Sequence, residues 1–335
     1  MPLKAAGMHA FLDEVGRLLS SAIYKNLLCP KHVPRQRGAH RHKSRILVAR
    51  PLMPNSVPKI AVTIRDLETI ADIADVLRLE KEVWGFEDAD VTPLTLAVAM
   101  KAAGSILVGA FDNDELVGFA FAFPSLEQGQ VGFHSHTLAV RASHRGSGVG
   151  YQLKLAQRTR ALALGIKEMT WTYDPLRSRN AYLNFSLLGV VSDSYRIDFY
   201  GLQTSSPLHT NGTDRLWVTW HLSDSRVELR LKGKDVRAEV LDALAHLDPL
   251  VRFNGDGRPA VGNLSRALSR QRIAIEIPGD MARIERDEKD LAREWRLATR
   301  LAFTESINSG FIVKEFCRSI RGQQGPAAYL LERQS

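Results

Sequence analysis

The stretch best equipped for chemistry runs from Val140 to Gly165, VRASHRGSGVGYQLKLAQRTRALALG. It sets Arg145 and three glycines, Gly146, Gly148 and Gly150, where an apolar strand pattern gives way to a helical one. Glycines let backbone N–H groups approach a ligand closely, and a helix N-terminus carries partial positive charge. Together they make an anion cradle suited to a pyrophosphate, to which Arg145 adds a forked donor. The spacing is neither a Walker A loop, which would end in Gly-Lys-Ser/Thr, nor the dinucleotide fingerprint G-x-G-x-x-G. Just upstream, His134 and His136 stand two apart on a strand, so both face one side and Ser135 the other. A histidine pair in that place is suited to accept a proton as a general base. The bland alternative is that one or both are packed, hydrogen-bonded structural residues. No third ligand has suitable spacing for a metal, so none is expected.

These residues need elements to hold them. KIAVTIRDL alternates like a strand, and ETIADIADVLRLEKEVWG has helical spacing with a stop at Gly85. TPLTLAVAMKAAG reads as a second helix, with Thr92 as N-cap, Pro93 in the first turn and Gly104 as stop. SILVGAFD and ELVGFAFAFP are strands joined by the polar turn Asp112-Asn113-Asp114, and GQVGFHSHTLAV is a further strand. After the glycines come a helix from Gly148 to about Leu164, the strand KEMTWTYDP, the short helix SRNAYLNFSLLG and one strand stretch, VVSDSYRIDFYG. Beyond Val227 the strands RIAIEIP, FIVKEFCRSI and AAYLLER flank one long helix with Asp280 as N-cap and Gly310 as stop. That helix–Gly–strand run echoes the one around Gly189, without a second Arg-x-x-Gly-x-Gly. Trp295, Arg296 and Arg300 on the long helix read as core and solvated stripe, or as lining for an acceptor site.

Composition narrows the classes. The chain has 335 residues, enough for about two domains. Two cysteines, Cys29 and Cys317, cannot build a disulfide framework, which suits a reducing, cytoplasmic compartment. No apolar run is long enough to span a bilayer, and Lys25 interrupts the apolar stretch Leu18–Leu28 that might pass for a signal peptide. The net charge of +8 is concentrated: Val15 to Arg65 holds eleven Lys or Arg and no acid, leaving 34 basic against 37 acidic residues elsewhere. Residues 1–57 therefore read as a basic, disordered extension, dispensable for the fold, with Met53 as a second candidate start. Nucleic-acid contact through residues 15–65 is the sharper reading of the same charge, but the segment lacks the aromatics of a stacking platform.

With the strand HTLAV before it, Arg145-x-x-Gly148-x-Gly150 resembles the acyl-CoA signature of the GNAT superfamily of N-acyltransferases, and RNAYLNFSLLGVVSDSYRIDFYG resembles that family's second segment. The phrases HSHTLAV, WTYDP and NAYLNFSLLG are similar to a bacterial subgroup of predicted GNAT acetyltransferases. The resemblance covers about Lys59 to Arg226. It implies an α/β fold with a mixed, mostly antiparallel sheet flanked by helices, over residues 58–226, with residues 227–335 as a C-terminal α/β extension, a degenerate half-repeat in one reading. It implies that Leu138 and Val140 offer backbone groups to the pantetheine arm and thioester, that Arg145, Gly146, Gly148, Val149 and Gly150 hold the pyrophosphate, and that Asn180 touches the pantetheine. The co-substrate would be acetyl-CoA or another acyl-CoA, the acceptor a small-molecule or peptide amine, and the base His136 or His134, with His136 nearer Val140. Two positions depart from the family pattern: Phe185 stands where a proton-donating Tyr is usual, and Val190 where Phe follows the helix-ending Gly. Three readings stay open: an N-acyltransferase, a non-catalytic acyl-CoA-binding or sensor protein, and a nucleic-acid-associated protein using the basic segment.

Overall fold

The computed structural model describes residues 61–334, apart from 89, 202–205, 207, 208, 323 and 324. The readings placed on residues 1–57, including the basic extension and a start at Met53, lie outside the described residues. The first half of the chain gives β1 (Thr63–Asp66), α1 (Ile70–Trp84), α2 (Leu94–Ala102), β2 (Ile106–Asp112), β3 (Glu115–Glu127), β4 (Gln130–Val140), α3 (Val149–Ala163), β5 (Glu168–Tyr173) and α4 (Ser178–Ala181). A π-helical turn, Tyr182–Leu188, continues α4, and β6 (Val191–Arg196) and β7 (Arg215–His221) follow. The second half gives α5 (Ser225–Leu231), α6 (Arg237–Ala245), β8 (Val251–Phe253), β9 (Pro259–Val261), α7 (Leu264–Leu268), β10 (Arg272–Ile277), α8 (Met281–Asp287), α9 (Lys289–Asn308), β11 (Phe311–Cys317) and β12 (Ala327–Arg333).

Local chemistry explains most boundaries. Thr69 and Asp72 form a reciprocal capping box at the start of α1, and Gly85 closes the helix at φ 66°. At α2 the N-cap position falls on Pro93, which has no capping side chain, rather than on Thr92. Asn113 takes φ 51° in the two-residue turn between β2 and β3. The strand read in VVSDSYRIDFYG is β6, which ends at Arg196, and a further strand, β7, follows it outside that reading: RLWVTWH pairs with β5 from Leu216 to His221 and with β6. The single long helix read after Asp280 is two: Asp280 does cap α8, its side chain accepting from the Arg283 N–H, but Glu288 leaves helical conformation and α9 starts afresh.

The strands form one sheet of twelve in the order β1-β2-β3-β4-β5-β7-β6-β11-β12-β10-β8-β9. Pairing is antiparallel except for β4 with β5 and β8 with β10. A mixed α/β fold with a mostly antiparallel sheet flanked by helices is thus what the chain forms. Leu67, Ile73, Val76, Leu79 and Ala97 bury one face of the sheet under α1 and α2, against Phe119 and Phe121. On the other face Val149, Leu153, Ala156, Phe185, Trp295 and Phe303 bring α3, the π-helical turn and α9 into one continuous core that spans both halves of the chain.

Candidate functional site

The parallel pair β4–β5 decides where a ligand can enter. The two strands are in register only at Phe133 with Met169 and His134 with Thr170. Beyond that they separate, so the facing edges of Ser135–Val140 and Trp171–Tyr173 have no ladder partner in each other. An open strand edge is a row of free donors and acceptors for an extended polar chain. Leu138 and Val140 lie on this edge.

The end of β4 leads straight into the glycines. A short 3-10 turn, Ala142–His144, is pinned by His144, whose Nε2 is 3.2 Å from Asp112 Oδ2 and whose Nδ1 is 2.8 Å from Ser143 Oγ. Gly146 and Gly148 then take φ 80° and 86°, conformations that only glycine adopts without strain. Gly150 lies against β4: a Cβ there would be in van der Waals contact with Leu138 Cδ2, at 3.4 Å, so α3 rests on the end of β4. Among the described residues no backbone acceptor meets the hydrogen-bond geometry for the N–H groups of Gly146, Ser147 or Gly148. Those of Val149, Gly150 and Tyr151 fall in the first turn of α3, where Gly148 provides no capping side chain. The loop and the first turn of α3 thus gather N–H donors at a helix N-terminus, which is the chemistry an anion requires.

Arg145 stands beside them with its fork turned back. Its Nε donates to Val140 O at 3.0 Å and its Nη2 to Val83 O at 3.4 Å, so here it ties the end of β4 to α1. Arg141 does the same with a bidentate grip on Glu82, at 2.7 and 2.9 Å. Asn180 is exposed on α4.

The two histidines are brought together, on the face of the sheet under α1. The register of β3 and β4 slips between Phe121, opposite Thr137, and Ala122, opposite Ser135. His136 is the unpaired residue of this bulge. Phe123 touches both imidazoles, with ring centres 5.4 Å from His134 and 5.8 Å from His136. His134 is buried and also packs on Trp217, ring centres 4.8 Å apart. Its Nδ1 lies 3.1 Å from Thr170 Oγ1, and Thr170 gives its one hydroxyl hydrogen to Glu127 Oε1 at 2.7 Å. Thr170 must then accept from His134 Nδ1–H, which leaves the lone pair on Nε2. Burial, and then the neighbouring charges of His136 and Lys154, push the His134 pKa down to about 4. His136 is exposed, yet the protein around it still disfavours its charged form and holds its pKa below the ordinary value. His134 is therefore neutral at pH 7, and the neutral form of His136 is favoured.

Position 185 is settled by packing. Phe185 is fully buried, between Tyr173 at 6.4 Å and Tyr329 at 5.8 Å. Of the nearby tyrosines, Tyr195 donates its hydroxyl to Asp214 Oδ2 at 2.7 Å, and Tyr182 lies under the Arg318 guanidinium, 5.2 Å away.

Two buried groups escaped the sequence reading. Lys154 of α3 is buried, donates to Ser135 Oγ at 2.7 Å and sits 3.5 Å from the centre of the Trp171 ring. Ser135 in turn donates to Gln157 Oε1 at 2.9 Å. Glu80 of α1 is buried beside Leu107 and Phe121, takes only the Thr92 backbone N–H, and has its Oε2 unpartnered; burial raises its pKa to about 7. The available signal was a charged residue on an apolar helical stripe, next to Leu79 in one case and Leu153 in the other.

Residues 70–185 match the family described as Acetyltransferase (GNAT) family. That stretch, from α1 into the π-helical turn, is a GNAT acetyltransferase domain. Similar solved structures include the ribosomal-protein-S18-alanine N-acetyltransferase from Escherichia coli, at 16% identity over 49% of this chain and 96% of that one, TM-score 0.40. An aminoglycoside 6'-acetyltransferase type Ii is 21% identical over 48% and 97%, TM-score 0.39. A GNAT family acetyltransferase from Elizabethkingia anophelis with acetyl-CoA bound is 20% identical over 48% and 97%, TM-score 0.37. No curated protein matches the chain.

Proposed function

We propose that the protein is an acetyl-CoA-dependent N-acetyltransferase acting on an amine. The observation that carries this is the cluster of N–H donors where the glycine loop enters α3, set at the end of a strand whose edge has parted from its parallel neighbour. Acetyl-CoA supplies an activated acyl group and a thiolate leaving group. The chain's own part is positioning: Gly146, Gly148, Val149 and Gly150 would hold the pyrophosphate, and the edge at Leu138 and Val140 the pantetheine arm and thioester carbonyl. Asn180 is the pantetheine contact that the resemblance implies. Arg145 would act by fixing the end of β4, given its bonds to Val140 and Val83. His134 and His136 are the proposed proton acceptors for the incoming ammonium. His134 has the better-defined geometry, since Thr170 and Glu127 orient its Nε2 lone pair.

A second reading, acyl-CoA binding without turnover, is favoured by one fact: Phe185 cannot donate a proton and is sealed in the core. Two measurements separate the readings. Calorimetry should show CoA binding to the wild type and none to Gly148→Glu, which places a carboxylate and a strained φ in the cradle; equal affinity would remove the cradle from the mechanism. Thiol release from acetyl-CoA with a pool of amines should then be seen, and should fall about 10²-fold in His134→Ala or His136→Ala. Tight CoA binding with no thiol release would leave the binding-only reading.

A further inference from the structure

The acceptor side of the sheet carries a feature that acyl-CoA binding does not use. Arg196 on β6 and Arg215 on β7 are register partners. Like charges directly opposite each other on a sheet face repel, and an anion bound between them would relieve that repulsion. Here the neighbouring acids are engaged elsewhere. Asp174 is held by Arg296 and Arg177, and Asp214 and Asp198 by Arg300. Among the described residues neither Arg196 nor Arg215 has a carboxylate within ion-pair distance. Arg215 is 8% exposed and its one hydrogen bond goes to the Asp214 carbonyl, at 2.9 Å. Among the described residues its other nitrogens have no hydrogen-bond partner and are not fully buried without one. Burying an unpaired guanidinium is costly, and burial indeed depresses its pKa.

The pair is also oriented. Arg196 sits 5.8 Å from the centre of the Trp217 ring, and Arg215 5.1 Å from that of Tyr200. Trp217 packs on His134 at 4.8 Å by its ring centre. One indole therefore separates the proposed proton acceptor from Arg196, and Arg215 is the register partner of Arg196 on the neighbouring strand.

We propose, resting on the acetyltransferase reading, that Arg196 and Arg215 form an oxyanion clamp for the acceptor. The acceptor is then an amine carrying a carboxylate or phosphate several bonds from its nitrogen. The amine reaches the histidines while the acid group lies between the arginines, in the forked geometry guanidinium groups offer to oxyanions.

Matched pairs test this by calorimetry, with and without saturating CoA: 6-aminohexanoate against hexylamine for a carboxylate, and tyramine phosphate against tyramine for a phosphate. The wild type should bind at least one acidic member about 10-fold or more tightly than its neutral partner. Arg196→Gln, at an exposed position where folding is safe, should reduce that preference to threefold or less, and Arg215→Gln should do so wherever circular dichroism shows it folded. The affinity for CoA itself should not change. Equal binding within both pairs, no binding of any member, a preference that survives Arg196→Gln, or a parallel loss of CoA affinity would each overturn the clamp. Failure of the wild type to bind CoA would instead sink the acetyltransferase reading, and the titrations without CoA would still read the clamp.

Discussion

At the scale of the residue, burial does more than identity to set the chemistry. A histidine free in water titrates near pH 6.5, whereas His134, wedged between Phe123 and Trp217, is held to about 4. Glu80 is the mirror case, a carboxyl raised to about 7 by its apolar pocket. Because its folded pKa lies above the unfolded value, the folded chain binds more protons between roughly pH 4.5 and 7, so Glu80 costs stability as pH rises through that window. The full cost is about 3 kcal/mol, taking 1.4 kcal/mol per pKa unit. Glu80→Gln should therefore melt above the wild type at pH 8 and lose that advantage at pH 4.5, read by thermal denaturation across the range. A constant difference at all pH values would mean that Glu80 does not titrate in the folded protein.

At the scale of the element, α3 has two ends of opposite character. Its N-terminus gathers N–H donors for an anion. Its middle turns Lys154 and Gln157 inward beneath β4, toward Ser135 and Trp171. Burial lowers the Lys154 pKa well below the ordinary lysine value. A base depressed on folding costs stability below its unfolded pKa, and the cost deepens as pH falls. Lys154→Met, close in volume and able to pack on Trp171, should raise the melting temperature at pH 7 and gain more at pH 7 than at pH 10. A destabilised Lys154→Met protein would mean that the bond to Ser135 and the contact with Trp171 outweigh desolvation. In the second half of the chain, α7 occupies the corresponding place before a parallel pair, but the Asn263 side chain caps it by accepting from the Arg266 N–H at 2.9 Å. That side chain takes one of the N–H groups at the start of α7, and no second Arg-x-x-Gly-x-Gly precedes it.

At the scale of the molecule, the two halves share one sheet. The run β5–helix–Gly189–β6–β7 is repeated by β10–helices–Gly310–β11–β12, and the copies meet where β6 pairs antiparallel with β11. The second half also completes the first. Arg296 grips Asp174 through two bonds of 2.8 and 2.9 Å, Arg300 holds the fully buried Asp214, and Tyr329 covers Phe185 while donating to Pro175 O at 2.6 Å. Losing one partner of a buried ion pair costs about 3–5 kcal/mol, against a typical net stability of about 5–15 kcal/mol. A chain shortened to end at residue 226 should therefore show no cooperative thermal transition and no CoA binding. Cooperative melting of that chain would show that the first half folds alone.

Read alone, the sequence determined what depends on local geometry. Glycine is the cheap residue at φ 80° and 86°, so Gly146 and Gly148 marked the cradle; alternation marked β4 and put His134 and His136 on one side; and a Gly at each helix end marked Gly85 and Gly189. What it could not determine depends on residues far apart in the chain. The Thr170–Glu127 bond that orients His134, the fully buried seat of Phe185 beneath Tyr329, the turn of Arg145 back to Val140 and Val83, and the opposition of Arg196 to Arg215 all join elements whose register has no local signal. Pairing register and burial are settled by the packing of the whole sheet, and only the tertiary structure decides them.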